Sequence, residues 1–194
     1  MMYLDNGGKK IGLALILVGL MMVIISFGKY FEESLKVATL TQNNMVSFEQ
    51  YEILEGEIKY ELPTNWISAE KVSMDSSEIY NNEFVSEDAS IYGSIEVVNG
   101  FNGVAEVMEQ CIAEIKDMGV QKYDRDTVNI NQMSVGTVEY DIRFTNNNIK
   151  HVYEYYIPYE KNMIKATFII SDEKARENTN VVFENIVRTF SFDN

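Results

Sequence analysis

Eighteen consecutive residues without a charge, Ile11 to Gly28 (IGLALILVGLMMVIISFG), constrain this chain more than any other feature. At about 1.5 Å per residue the run makes a helix of roughly 27 Å. That length just crosses a hydrocarbon core about 30 Å thick. A helix satisfies its own backbone groups, as lipid demands. A helix buried in a soluble domain normally keeps a polar side, whereas this one carries only Ser26 and three glycines besides apolar residues. Lys9 and Lys10 precede the run, and Lys29 follows it with Glu32 and Glu33 close behind. The bias of positive charge predicts a cytoplasmic N-terminus over residues 1–10, a transmembrane helix over 11–28, and everything later outside the cell membrane. The competing reading is a cleaved secretion signal. Such signals have apolar stretches of about 7–15 residues ending in a small-residue cleavage site, and the nearest candidate here is Ser26-Phe27-Gly28. No cysteine lies near the end of the run, which argues against a lipid-anchored lipoprotein.

Charge divides across this segment. The whole chain of 194 residues has 16 Lys+Arg against 30 Asp+Glu, a net charge of −14. Asp5, Lys9 and Lys10 give residues 1–28 a charge of +1, so residues 29–194 carry −15. So acidic a chain is repelled by phosphate backbones, and nucleic acid is excluded as a partner. A single cysteine, Cys111, rules out an internal disulfide framework, and a single histidine, His151, rules out a multi-histidine metal centre.

Residues 29–50 are polar and without clear period, and read as a stalk or linker. The folded extracytoplasmic domain is expected over residues 51–194. Glu57 to Leu62 alternates polar and apolar residues, the period of a half-buried strand, and Pro63 stops it. Ile79–Val85 and Ser90–Val98 read as further strands, followed by a turn at Asn99-Gly100-Phe101-Asn102-Gly103. Val104 to Met118 places Val104, Val107, Met108, Cys111, Ile112, Ile115 and Met118 on one stripe of a helix. Asn102 is its expected N-cap and Gly119 its stop. Four strands are expected next, at 122–130, 135–145, 149–159 and 163–171, with turns at Asn146-Asn147-Asn148 and Glu160-Lys161-Asn162. A last helix is expected over 172–189, capped by Ser171. Its stripe is Val182, Phe183, Ile186, Val187 and Phe190. Short loops make the late strands an antiparallel meander, and two amphipathic helices must lie on it: an α+β fold, an antiparallel β-sheet flanked by helices.

Reactive groups are few. Cys111 and His151 are the one possible nucleophile and base pair. Their setting, a cysteine within an apolar stripe and a histidine on a strand, favours structural roles. Phosphate-binding glycine loops, serine-elbow motifs and the zinc-protease motif are missing from the sequence. Glu52, Glu55, Glu57 and Glu61 crowd one segment, which is the pattern of a solvated face rather than a catalytic pair. Asp124-Arg-Asp126-Thr-Val-Asn129 begins like a calcium loop, but it lacks the glycine and the final glutamate, leaving at most a looser cation site. Tyr153 and Tyr155 share one strand face and Tyr156 takes the other. Trp66, just past Pro63, reads as a plug over the end of the sheet.

Tyr60-Glu-Leu-Pro63-Thr-Asn-Trp66 resembles the early strand-Pro-x-x-Trp signature of PsbP-like domains. The ending Phe183-Glu-Asn-Ile186-Val187-Arg-Thr-Phe190-Ser-Phe192 is similar to that family's closing helix and terminus. The resemblance covers residues 51–194 and implies an α/β/α sandwich around an antiparallel sheet. The family includes photosystem-associated subunits, a Ran-binding protein of the same fold and many bacterial envelope proteins. What it implies is a binding or assembly module rather than an enzyme, with no catalytic, cofactor-binding or metal-binding residue to carry over. The expectation is therefore a membrane-anchored, extracytoplasmic, non-catalytic binding module. It would be held to the membrane by residues 11–28 and would meet a protein partner in the envelope. A ligand- or cation-binding sensor domain is the alternative, and an envelope hydrolase using paired carboxylates stands behind it.

Overall fold

The computed structural model describes residues 47–72, 77–143, 148–171 and 179–193, all within one unit spanning Met45–Asn194. The apolar run at 11–28, most of the linker, residues 144–147 (the end of the expected strand 135–145 and the first two residues of the triple-Asn turn) and residues 172–178 of the last expected helix lie outside the described residues. Among the described residues no helix is long and apolar enough to cross a membrane.

Among the described residues ten strands and two α-helices follow one another. They are β1 Phe48–Ile53, β2 Ile58–Pro63, β3 Ile67–Glu70, β4 Glu78–Val85, β5 Ile91–Asn99, α1 Val104–Asp117, β6 Tyr123–Ile130, β7 Met133–Arg143, β8 Ile149–Tyr159, β9 Asn162–Ser171, α2 Thr179–Val187 and β10 Ser191–Phe192. Seven strands form a wholly antiparallel sheet in the order β3-β4-β5-β9-β8-β7-β6, and β1-β2-β10 form a second, small sheet. Strand β1 starts at Phe48, so residues 48–50, read from sequence as the end of the linker, are paired in the small sheet opposite Glu61–Pro63. The alternation in 57–62 survives in detail: Ile58, Tyr60 and Leu62 are buried and Lys59 and Glu61 are not.

Alternation across the large sheet gives it two faces. On one, α1 packs Val107, Met108, Cys111 and Ile115 over Val138, Tyr140, Val152 and Tyr156. On the other, Phe183 of α2 stacks on Phe168 of β9 with ring centroids 4.4 Å apart and meets Tyr153 of β8 at 5.1 Å. Helix α2 also touches β2 of the small sheet, and just beyond it Phe190 stacks on Tyr60 at 5.2 Å. Lying between two sheets explains why α2 buries residues around most of its circumference, Asn185 included. Trp66 is buried against Phe84, centroids 5.3 Å apart, and acts as the expected plug.

Helix α1 ends as its sequence predicts. Gly119 has φ +85°, Val120 N–H donates to Ile115 O at 3.0 Å, and Gly119 N–H donates to Lys116 O at 2.9 Å, a Schellman pair. Its start differs from expectation. The N-cap is Gly103, without a side-chain cap. The Glu106 carboxylate reaches back instead and accepts from Asn102 N–H at 2.8 Å and from Asn102 Nδ2 at 3.1 Å. A carboxylate near the positive helix end also suits the dipole.

Candidate functional site

The residues with chemical potential separate onto opposite faces of the large sheet. His151 is on β8 with odd-numbered Tyr153 and Tyr155, on the α2 side, and its Nδ1 lies 2.6 Å from Asp141 Oδ1. Cys111 hangs from α1 over the even-numbered face and donates from Sγ to Glu154 Oε2 at 2.9 Å. The sheet stands between them, so no thiol–imidazole pair exists. Burial first, then the charge of Glu154, pushes the Cys111 thiol up to about 12. It stays protonated at neutral pH and is a poor nucleophile.

Sequence reasoning missed the centre of this cluster, Glu154. It is the sole carboxylate buried among the described residues. It sits on β8 beneath α1, where the pleat turns even-numbered residues inward. Four donors converge on it: Tyr156 OH at 2.6 Å, Cys111 Sγ at 2.9 Å, Lys165 Nζ at 3.0 Å and Tyr140 OH at 3.3 Å. Lys165 comes from β9, opposite Tyr156 in the register and one pleat along from Glu154. Burial alone would raise the Glu154 pKa. The charge of Lys165 and the hydrogen bonds from Cys111, Tyr156 and Lys165 outweigh burial, and the pKa ends below the ordinary glutamate value. Lys165 is lowered by burial but raised more by Glu154, and ends above its ordinary value. The phenols of Tyr140 and Tyr156 are pushed up by burial and by Glu154. Every group is thereby locked in one protonation state around neutral pH: a carboxylate, an ammonium, two phenols and a thiol. Catalytic acids and bases need the reverse, a pKa close to the working pH. The signal in the sequence was a lone glutamate amid Val152, Tyr153, Tyr155, Tyr156 and Ile157, a charge at an inward position of a buried strand.

The other expected carboxylates disperse. Glu52 is on β1, Glu55 in a 3-10 turn at Leu54–Gly56, Glu57 in the turn that follows it and Glu61 on β2, and Glu57 accepts from Tyr159 OH at 3.2 Å. Asp124 and Asp126 lie in strand β6 rather than a loop, with Arg125 on the opposite face, so no loop is present to wrap an ion. An open groove of about 700 Å³ runs over the end of β6–β8, lined in part by Asp124, Glu139, Asp141, His151 and Tyr153. Burial and the charges of Asp124 and Glu184 raise the Glu139 pKa. Among the described residues no three His, Cys, Asp or Glu side chains converge on a metal position.

No protein-family model matches the chain, and no curated protein matches it. Solved structures do. The solution structure of cyanobacterial PsbP (CyanoP) from Synechocystis sp. PCC 6803 superposes with a TM-score of 0.58 at 11% identity, over 76% of this chain and 93% of that one. The crystal structure of LpqN, involved in cell envelope biogenesis in Mycobacterium tuberculosis, matches with a TM-score of 0.46 at 12% identity, over 75% of this chain and 91% of that one. The fold of the described domain is PsbP-like.

Proposed function

We propose that this protein is a membrane-anchored, extracytoplasmic binding or assembly module that carries out no chemistry of its own. The observation behind this reading is the Glu154 cluster. The domain's one described buried carboxylate is neutralised by Lys165 and covered by α1, and its partners hold fixed protonation states. An envelope hydrolase would need two acids converging on open space; the groove over β6–β8 does hold Asp124, Glu139 and Asp141, but Asp141 is engaged by His151 at 2.6 Å. The PsbP-like fold is compatible with a binding role, although fold alone does not determine function.

The anchor rests on residues 11–28 and the flanking lysines. Fractionation of cells, followed by protease treatment before and after permeabilisation, tests it. The expected result is a chain in the membrane fraction whose C-terminal domain is digested in intact cells. A domain protected until permeabilisation, or a soluble protein beginning near Lys29, would overturn the topology.

A further inference from the structure

The large sheet ends in two unequal edges, β3 with four residues and β6 with eight. Among the described residues β6 pairs only with β7. The two-residue turn at Asn131-Gln132 makes Ile130 and Met133 a hydrogen-bonded pair. By alternation Asp124, Asp126 and Val128 also bond to β7, while Tyr123, Arg125, Thr127 and Asn129 aim their backbone groups away from the sheet. Asp124 to Thr127 are exposed without a break. The outward Thr127 N–H donates to Asp126 Oδ1 at 2.7 Å, so a side-chain oxygen already stands where the carbonyl of a further strand would accept.

A groove borders this edge on each face of the sheet. On the α2 face Asp124 and Glu139 stand opposite each other in register, with Tyr153 next in line, inside the groove of about 700 Å³ over β6–β8. Asp124 and Glu139 form no ion pair among the described residues, and Lys122 is the single Lys or Arg lining the groove. Burial and then the charges of Asp124 and Glu184 push the Glu139 carboxyl up, so negative charge is in excess there. On the α1 face an open groove of about 500 Å³ lies between the first turns of α1 and β6. Val104 and Met108 give it an apolar wall, with Glu109 on the same helix, and Arg125 and Thr127 line the strand side.

We propose that β6 accepts an extended segment of a partner protein as a further antiparallel strand, with Lys or Arg at the alternate positions that face Asp124 and Asp126 and apolar residues at those that face Arg125 and Thr127. Strand addition supplies backbone bonds to the open edge, and alternate side chains enter the two grooves. Toward the new strand Asp124 and Asp126 hold non-hydrogen-bonded positions, where facing Cα atoms come within about 4.5 Å and side chains meet most closely. A basic residue there is attracted and an acidic one repelled. The apolar residues between them lie toward Val104 and Met108. Charged side chains on an edge guard it against indiscriminate pairing, and a second copy of this acidic domain brings the same Asp124 and Asp126. The assignment deepens the binding-module reading and rests on it.

The test uses the full-length chain and three fluorescent peptides of about eight residues, the length of one strand. One alternates Lys and Val, one alternates Glu and Val, and the third is the Lys/Val peptide with its Val amides, those that meet Arg125 and Thr127, N-methylated. By anisotropy the plain Lys/Val peptide should bind, and the other two should bind about tenfold more weakly or worse. Asp124→Asn with Asp126→Asn, which keeps the oxygen that accepts from Thr127, should weaken the Lys/Val peptide about tenfold as well. Arg125→Pro removes an outward N–H and no bond to β7, so it should block the peptide and keep a melting curve close to wild type. Equal binding of the N-methylated peptide, which carries the same charge, would reduce the attraction to charge alone and overturn the proposal, whether or not the Pro variant folds. A wild-type dimer that Arg125→Pro abolishes would overturn it too, since the occupant would then be a second copy. Capture from native envelopes separates this edge from the broader reading. A partner that carries an alternating basic segment and is lost only from the Pro variant supports the edge. A partner held equally by both chains removes the edge and leaves the module standing. No specific partner on either chain removes both.

Discussion

Glu154 ties α1 to the sheet by charge and hydrogen bonds at once. Replacing one member of a buried ion pair leaves the other uncompensated, which commonly costs about 3–5 kcal/mol. Lys165 retains some solvent, its side chain 28% exposed, so Glu154→Gln should cost about 2–4 kcal/mol at pH 7. The pKa of Glu154 is lowered on folding, so its contribution is present above the unfolded glutamate value of about 4.5 and is lost as pH falls through the folded value. Lys165 is raised, so its share persists below about 10.5 and is lost only above that. Urea unfolding should therefore find wild type and Glu154→Gln far apart at pH 7 and converging below pH 4.5. A gap that stayed constant with pH would deny the ion pair its role. Cys111 offers an independent readout. With its thiol held near 12 and buried, it should react with a thiol reagent at pH 8 only as fast as the domain opens, and rapidly in denaturant. Fast labelling of the folded chain would contradict the packing of α1.

At the scale of elements, two glycines fix how closely layers approach. A Cβ on Gly136 of β7 would lie 2.4 Å from Val104 Cγ1 and 2.5 Å from Met108 Sδ, both on α1. A Cβ on Gly93 of β5 would lie 2.1 Å from the Thr167 carbonyl oxygen and 2.6 Å from the Phe84 ring. The first obstruction is made of movable side chains, the second partly of backbone. Gly136→Ala should cost about 1–3 kcal/mol, as overpacking commonly does, and Gly93→Ala clearly more. Thermal melts of the two variants rank them, and the reverse order would mean β5 and β9 can part more easily than α1 can shift. Much of this level was legible in the sequence. Strand β8 runs over Ile149–Tyr159, the residues its pattern predicts, because both its ends are marked by turn residues. The stripe of α1 and its Gly119 stop were equally plain. The turn between β6 and β7 was not: Asn131 and Gln132 both take positive φ, +52° and +67°. That is the geometry of a two-residue hairpin, but Gln carries none of the usual turn signal. The small sheet was hidden too, since β1 begins inside polar sequence and its partner contacts are long-range. Glu154 escaped notice because its neutralising lysine stands on another strand.

For the molecule as a whole, the small sheet depends on residues far apart in sequence. Strand β2 takes β1 on one side and β10 on the other, with Ser191 opposite Lys59 and Phe192 opposite Ile58. Lys59 pairs with Asp193, 134 positions away. Asp193 N–H donates to Glu57 O at 2.9 Å, and Phe192 stacks on Tyr159 with centroids 5.1 Å apart. Removing residues 191–194 should cost about 1–3 kcal/mol, by the loss of one partly buried aromatic and two edge hydrogen bonds. Amide exchange should rise in β2 ahead of β8. An unchanged exchange rate at Ile58 and Lys59 would mean β10 contributes nothing to closure.

That long span also sets a timetable. As the chain leaves the ribosome, β2 waits with one edge bare until the residues after α2 have been made, and contacts of such high order form slowly. Throughout synthesis the domain therefore stays open at this seam. Until that strand arrives, the backbone groups along one side of β2 have only water for partners.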